Sequence, residues 1–313
     1  MKQQKFFRGT LFAAFVASCA TNPATTKQSS ESTSASEPAS GELVVIQSKS
    51  KSPMISGSNM EHWIQLKNSQ GSKNRIYGYM ATGEWATSIE EAKRALESAP
   101  GDNGLIVALA AAYAGQANYE MAGYYAGVVL KTDAGNSDAM NLVGLRIMTG
   151  SGNRRADFDD AMNWYRKAAE SDGTHIAALL NLGNLQLDLG DASGALESFT
   201  MASNRCGQCF ASEFGIGLSS SRKGAWAQSV KAFENILARD RSKAEAQYQL
   251  ALVYKNGLAN STRAVQLLQD IVSDADGRFK HASSIKRVAN ITLRRIRAND
   301  RTAPMPEEAL EPR

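Results

Sequence analysis

An internal repeat constrains this chain more than any other feature. Three 13-residue segments share one pattern: Ala117–Val129, Gly190–Ala202 and Gly224–Ile236. Each opens on a turn and continues through a small residue, an aromatic or small residue, then a small or aliphatic one. About 15 residues before each lies an apolar stretch with a small residue inside: Leu109-Ala110, Leu182-Gly183 and Ile216-Gly217. Repeat starts fall at 103, 137, 176, 210 and 244, so the spacings are 34, 39, 34 and 34. The spacing of 39 contains five additional residues in Thr149–Ala156, read as a loop between two helices. The last repeat holds one additional residue near Asn256–Ser261. One helix pair cannot bury its own apolar face, so units of this kind stack and need caps. Helices about 8–10 Å apart need a small residue where their backbones approach, with a large neighbouring side chain beside it.

The pattern resembles the tetratricopeptide repeat, a 34-residue helix–turn–helix. The family's large–small position of the first helix falls on Leu109/Ala110, Val143/Gly144, Leu182/Gly183, Ile216/Gly217 and Leu250/Ala251. Its small position opening the second helix falls on Ala122, Ala161, Ala195, Ser229 and Ala264. The following aromatic is Tyr165, Phe199 and Phe233, but Ala126 and Leu268 in the outer repeats. The next small residue is Ala168 and Ala202, but Val129, Ile236 and Ile271 elsewhere. Ala134, Gly173, Gly207 and Arg241 stand where the family has its helix-ending Pro. The resemblance implies an all-α fold, a right-handed superhelical solenoid of repeats over 83–277 with a C-terminal capping helix over 278–299. Residues 83–102 read as a partial repeat whose first helix is degenerate. Phe279, Ala282, Ile285, Ala289, Leu293 and Ile296 give the cap its amphipathic spacing. Lys286, Arg287, Arg294, Arg295 and Arg297 occupy its other face, either as solvated charges or as a patch for an acidic partner or anionic head groups. Residues 300–313 are expected to be a loose tail.

The N-terminus reads as an address. Lys2, Lys5 and Arg8 precede a short apolar core at residues 10–17, the layout of a secretory signal. Val16-Ala17-Ser18-Cys19 resembles the lipobox of bacterial lipoproteins. That resemblance implies a signal peptide over 1–18, a lipidated Cys19 and, with Ala20 next, an outer-membrane destination facing the periplasm. A secreted protein with an incidental Cys is the alternative. Residues 19–42 are rich in Ser, Thr, Ala, Pro and Glu and read as a disordered tether. Residues 43–82 are expected to be irregular because of their Ser, Gly and Asn content.

Composition excludes several classes. The formal net charge is +4, and three of the positive charges lie before residue 19. Nothing marks a nucleic-acid binder. Three His and three Cys leave little for metal or disulfide scaffolds. Cys206-Gly-Gln-Cys209 is the one CxxC. In an oxidising compartment it reads as a local disulfide; free thiols, or a redox or metal role, are the alternatives. His62, His175 and His281 are expected to be exposed, and Asp159/Asp160 to be solvated charges at a helix N-terminus. No catalytic motif is present, so an enzyme, a cofactor and a small-molecule substrate are not expected.

The repeat resemblance places a partner-binding groove on the first helices, at their second, fifth, sixth, ninth, twelfth and thirteenth positions. These fall on Asn141, Leu145, Asn181, Asn184, Asp188, Phe214, Leu218, Arg222, Tyr248, Gln249, Lys255 and Asn256. The first repeat offers Val107, Ala108, Ala111 and Ala114, a smooth apolar surface. Asn side chains there can hydrogen-bond a peptide backbone. The expected function is a lipid-anchored periplasmic scaffold that binds proteins and helps assemble or position an envelope machine. Lipoproteins of gliding motility or type IV pilus assembly are similar. The alternative is a regulator of a cell-wall synthesis enzyme.

Overall fold

The computed structural model describes residues 65–150, 155–173, 175–207, 209–280 and 282–302. The signal segment, Cys19, the tether and the tail beyond 302 lie outside them. Among the described residues there is one helical turn at 65–67, then thirteen helices and no strand. They are α1 (Ser72–Ala81), α2 (Trp85–Ser98), α3 (Asn103–Gly115), α4 (Tyr119–Thr132), α5 (Ser137–Gly150) and α6 (Arg155–Ser171). Then follow α7 (Ile176–Leu189), α8 (Ala192–Cys206), α9 (Phe210–Arg222), α10 (Trp226–Arg239), α11 (Ala244–Asn256), α12 (Ser261–Ser273) and α13 (Ser283–Thr302). The chain divides into two compact units between Ser212 and Glu213.

The turns inside the pairs share one backbone device. Gly83, Ala117, Gly190, Gly224 and Ala259 all have positive φ, between 53° and 89°. The next amide then reaches back to a carbonyl five residues earlier: Glu84 to Tyr79, Asn118 to Tyr113, Asp191 to Gln186 and Ala225 to Ser220, at 2.8–2.9 Å. This left-handed closure satisfies a carbonyl that the helix end leaves open. In the last pair Asn260 reaches six residues back, to Tyr254, at 2.8 Å. The additional residue of that repeat is taken up there. Helix starts are capped by side chains. Asp102, Asn118, Asn136, Asp191 and Asn260 each accept the amide three residues on, at 2.9–3.2 Å. Burial alone would raise the Asp102 carboxyl. The Lys73 ammonium at 2.9 Å and the Leu105 amide hold it below its ordinary value instead.

In the unit ending at Ser212, each of the helices α1–α7 packs on the next, and the first helices α1, α3 and α5 also touch in sequence. Ile76, Met80, Ile89, Leu105 and Leu109 form one core cluster. Ala110, Ala126, Val129, Leu142 and Leu145 form the next, and Ala161, Tyr165, Leu182 and Leu185 a third. Gly144 and Gly183 show why a small residue is needed. A Cβ at Gly144 would meet the Tyr165 ring at 2.7 Å, and one at Gly183 the Phe199 ring at 2.9 Å. A second seat lies one pair further on, where the Trp85 ring covers Gly115.

Within 65–82, helix α1 corrects the expectation of an irregular segment and a degenerate first helix; residues 43–64 lie outside the described residues. Ile76 and Met80, four residues apart, are fully buried on α2 and α3. Arg75 ion-pairs with Glu91 of α2 and donates to the Ser69 and Gln70 carbonyls at 3.1 and 2.8 Å. The Ser88 hydroxyl donates to the Ile76 carbonyl at 3.1 Å. Two apolar anchors and tertiary hydrogen bonds hold a helix that composition alone disfavours, so the first pair is complete over 72–98.

In the unit starting at Glu213 the same seats recur. Phe233 fills the space over Gly217, and Trp226 covers Gly257. Helix α13 packs on α12 and also on α11. It therefore stands where the first helix of a further repeat would stand, and it buries Ile285, Ala289, Leu293 and Ile296. The helix begins at Ser283 rather than 278. Phe279 is buried ahead of it, its amide donating to Asp274 at 2.8 Å. Lys286 at 2.7 Å and that amide hold the Asp274 carboxyl below its ordinary value.

Candidate functional site

The residues expected to line a groove separate into two groups once burial is known. In the first unit, Asn181 on α7 donates from Nδ2 to Oδ1 of Asn141 on α5 at 2.9 Å. Both are half-buried, and this bond ties neighbouring first helices together. It leaves Asn141 Nδ2 and Asn181 Oδ1 without a partner among the described residues, a donor and an acceptor side by side. Asn184, one turn on, is half-buried, and Asp188 is exposed. This row of amides can pair with the N–H and C=O of a bound backbone without selecting a charge. Leu145 belongs instead to the core, packed with Ile106 and Leu142. Val107, Ala108 and Ala114 are buried too, so the expected smooth apolar surface of the first repeat is mostly interior.

In the second unit, Phe214 is 3% exposed and packs edge-on to Phe233, ring centres 5.6 Å apart. Tyr248 is 6% exposed, and its hydroxyl lies 3.1 Å from that of Thr292 on α13. Both are core residues, not lining. The physical reason is that first helices pack side by side. A large apolar side chain on the flank of α11 is therefore covered by α13. Leu218, Gln249 and Lys255 are half-buried, whereas Arg222 and Asn256 are exposed. A cleft of about 510 Å³ opens elsewhere in this unit, between α10 and α12, with Gln247 and Leu250 of α11 among its lining residues. Arg278 is partnered there by Asp270 and Asp276.

Cys206 and Cys209 form a disulfide at the end of α8, both buried. The Cys209 amide donates to Cys206 Sγ at 3.2 Å, and the Ser212 hydroxyl lies against both sulfurs at 3.4 and 3.3 Å. Gly207, next to Cys206, takes the left-handed conformation that ends the helix. Among the described residues no group of three or more His, Cys, Asp or Glu is placed to hold a metal ion. Nor is any described helix long and apolar enough to cross a membrane.

His175 departs from the expected exposed position. It is 4% exposed, accepts the Ala178 amide on Nδ1 at 3.0 Å, and faces Asp138 through Nε2 at 3.0 Å. It caps α7 as Asp102 caps α3 and Asn136 caps α5. The signal was present: 102, 136 and 175 keep the same repeat spacing as the starts that follow them. His62 and His281 lie outside the described residues. Asp159 and Asp160 are exposed in the first turns of α6. Tyr165 carries its hydroxyl into the interior without a partner there, and burial pushes its ionisation well above the ordinary value.

Successive helix pairs with Gly–aromatic seats and shared turn closures define an all-helical tandem-repeat protein. Two segments match repeat families: residues 137–173 match the Sel1 repeat, and residues 245–276 the tetratricopeptide repeat. The Sel1 match falls on the lengthened repeat. No curated protein matches the chain. Solved structures share the fold. The Cut9–Hcn1 hetero-tetramer of APC/C aligns with a TM-score of 0.56 and 13% identity, over 72% of this chain and 45% of that one. This chain thus spans less than half of that protein. A tetratricopeptide protein of Thermus thermophilus aligns with a TM-score of 0.50 and 12% identity, over 62% of this chain and 98% of that one. One from Parabacteroides merdae covers 80% of this chain and 96% of its own, with 14% identity and a TM-score of 0.48. The family matches and the fold together support repeats of the tetratricopeptide and Sel1 type.

Proposed function

We propose that this chain is a lipid-anchored periplasmic scaffold. It binds protein partners through the first-helix side of its repeats and helps assemble or position an envelope machine of the motility or pilus kind. One observation carries the binding part: the Asn141–Asn181 pair with Asn184 beside it, amides on two adjacent first helices that still offer hydrogen bonds. Of the groove residues, Asn141, Asn181, Asn184, Asp188, Arg222, Gln249, Lys255 and Asn256 remain accessible, and Leu145, Phe214 and Tyr248 are withdrawn. The lipobox-like segment ending at Cys19 supports the anchor and the outer-membrane address.

The test is crosslinking in intact cells followed by capture of the tagged chain and mass spectrometry. Motility or secretin components among the captured proteins are expected, and they should be lost with Asn184→Glu, which leaves the Asn141–Asn181 bond in place, while thermal unfolding stays nearly unchanged. Retention of every partner by that variant would end the groove reading. Capture of cell-wall synthases without motility parts would replace the machine reading with regulation of a synthase. The anchor is tested separately: Cys19→Ala should abolish incorporation of labelled fatty acid, and an unchanged label would remove it.

A further inference from the structure

Helix α13 has two chemically different sides. Ile285, Ala289, Thr292, Leu293 and Ile296 are buried on one. On the other, Arg287, Ile291, Arg294, Arg295 and Ala298 are exposed. At 3.6 residues per turn the three arginines cluster around Ile291, itself 44% exposed. No acidic residue occurs between 283 and 298. Arg294, Arg295 and Arg297 meet no carboxylate or hydrogen-bond acceptor among the described residues. Folding of this unit leaves the Arg294 and Arg295 guanidiniums uncompensated, and it leaves the large aliphatic side chain of Ile291 in water beside them.

We infer that this side of α13 binds an anionic phospholipid surface. Guanidinium groups pair with phosphate oxygens through two parallel hydrogen bonds. An aliphatic side chain amid basic residues suits the boundary between head groups and acyl chains, where amphipathic helices lie. Protein–protein hot spots combine Trp, Tyr and Arg anchors in well-packed, desolvated pockets; of these anchors this side supplies arginine alone. The exposed residues of this side are one serine, the arginines, one isoleucine and one alanine, with no aromatic among them. A phosphate surface needs no such pocket and no register, only closely spaced cations. This goes beyond the scaffold reading and does not depend on Cys19. A surface contact at α13 would lay this unit against a membrane whichever way the N-terminus is held.

The experiment is co-sedimentation of the full chain with phosphatidylcholine vesicles, with and without phosphatidylglycerol, at low and physiological salt. The N-terminal segment is common to all variants, so differences between them report α13. Arg294→Gln with Arg295→Gln should lower partitioning onto phosphatidylglycerol vesicles by about thirty-fold. Ile291→Ser should lower it further, and phosphatidylcholine binding should not change. Lys223→Gln with Lys231→Gln removes the same charge from exposed positions elsewhere in the unit and should leave binding near that of the parent chain. Thermal melts of each variant verify the fold. Equal partitioning of parent and Arg294/Arg295 variant would overturn the inference, as would an equal loss in the Lys223/Lys231 control. Unchanged vesicle binding together with loss of a crosslinked acidic protein would reassign the face to that protein.

Discussion

The repeats starting at 103 and 176 use the same helix–turn–helix with opposite packing solutions. In α7–α8 a glycine, Gly183, lies under an aromatic ring, Phe199. In α3–α4 the equivalent positions are Ala110 and Ala126, both fully buried, and Tyr113 stacks on Tyr125 at 5.7 Å beside them. The turns differ likewise: Gly190 at φ 89° in one, Ala117 at φ 63° in the other. The small–large pair is thus one way to bring two helices together, and two alanines with flanking aromatics are another. The backbone closure, in contrast, is common to both and is imposed even on a residue with a Cβ.

The comparison can be broken most strongly at the ring. Phe199→Ala should cost about 3–5 kcal/mol, because it leaves a cavity over a glycine that has no side chain to fill it. Ala126→Gly, at the matching place, should cost only about 1 kcal/mol, mainly from backbone freedom. Urea unfolding followed by hydrogen exchange on α4 and α8 separates the two, and equal losses would mean that the ring is not the main support of α7–α8. Gly183→Val comes next, at about 1–3 kcal/mol from overpacking against Phe199. Restoration of stability by a smaller ring-side residue in the double variant would establish the contact.

At the turns the signs should oppose. Gly190→Ala should destabilise by about 1–2 kcal/mol and Ala117→Gly should stabilise by about 0.5–1 kcal/mol, since only glycine enters the left-handed region freely. Midpoints moving in the same direction would show that the two turns are not equivalent. A loss of similar, modest size is expected at the caps. Asp102→Ala and His175→Ala should each cost about 1 kcal/mol through loss of an amide acceptor. Asn at position 175 should recover most of the loss in α7, and failure to do so would assign the role of His175 to its contact with Asp138.

The sequence alone made much of the fold legible. The repeat period, the helix pairs, the glycine–aromatic seats at 144, 183 and 217, and the amphipathic last helix follow from local spacing. Each is stated within one repeat and then confirmed by its neighbours. The site was less legible. Asn141 and Asn181 could be proposed from register, but nothing local said that they bond to each other across two helices. Leu145, Phe214 and Tyr248 carry the same register as exposed groove positions and are nevertheless core.

Periodicity determines which residues share a face. Which part of that face is open depends on the next helix, which is distant in sequence. The same holds for α1, formed around Ile76 and Met80 because α2 and α3 cover them, and for His175, buried because Asp138 and the Ala178 amide satisfy both ring nitrogens. The sequence determined the repeated unit; the tertiary structure alone decided what each unit leaves uncovered, because desolvation is a property of the stack rather than of the repeat.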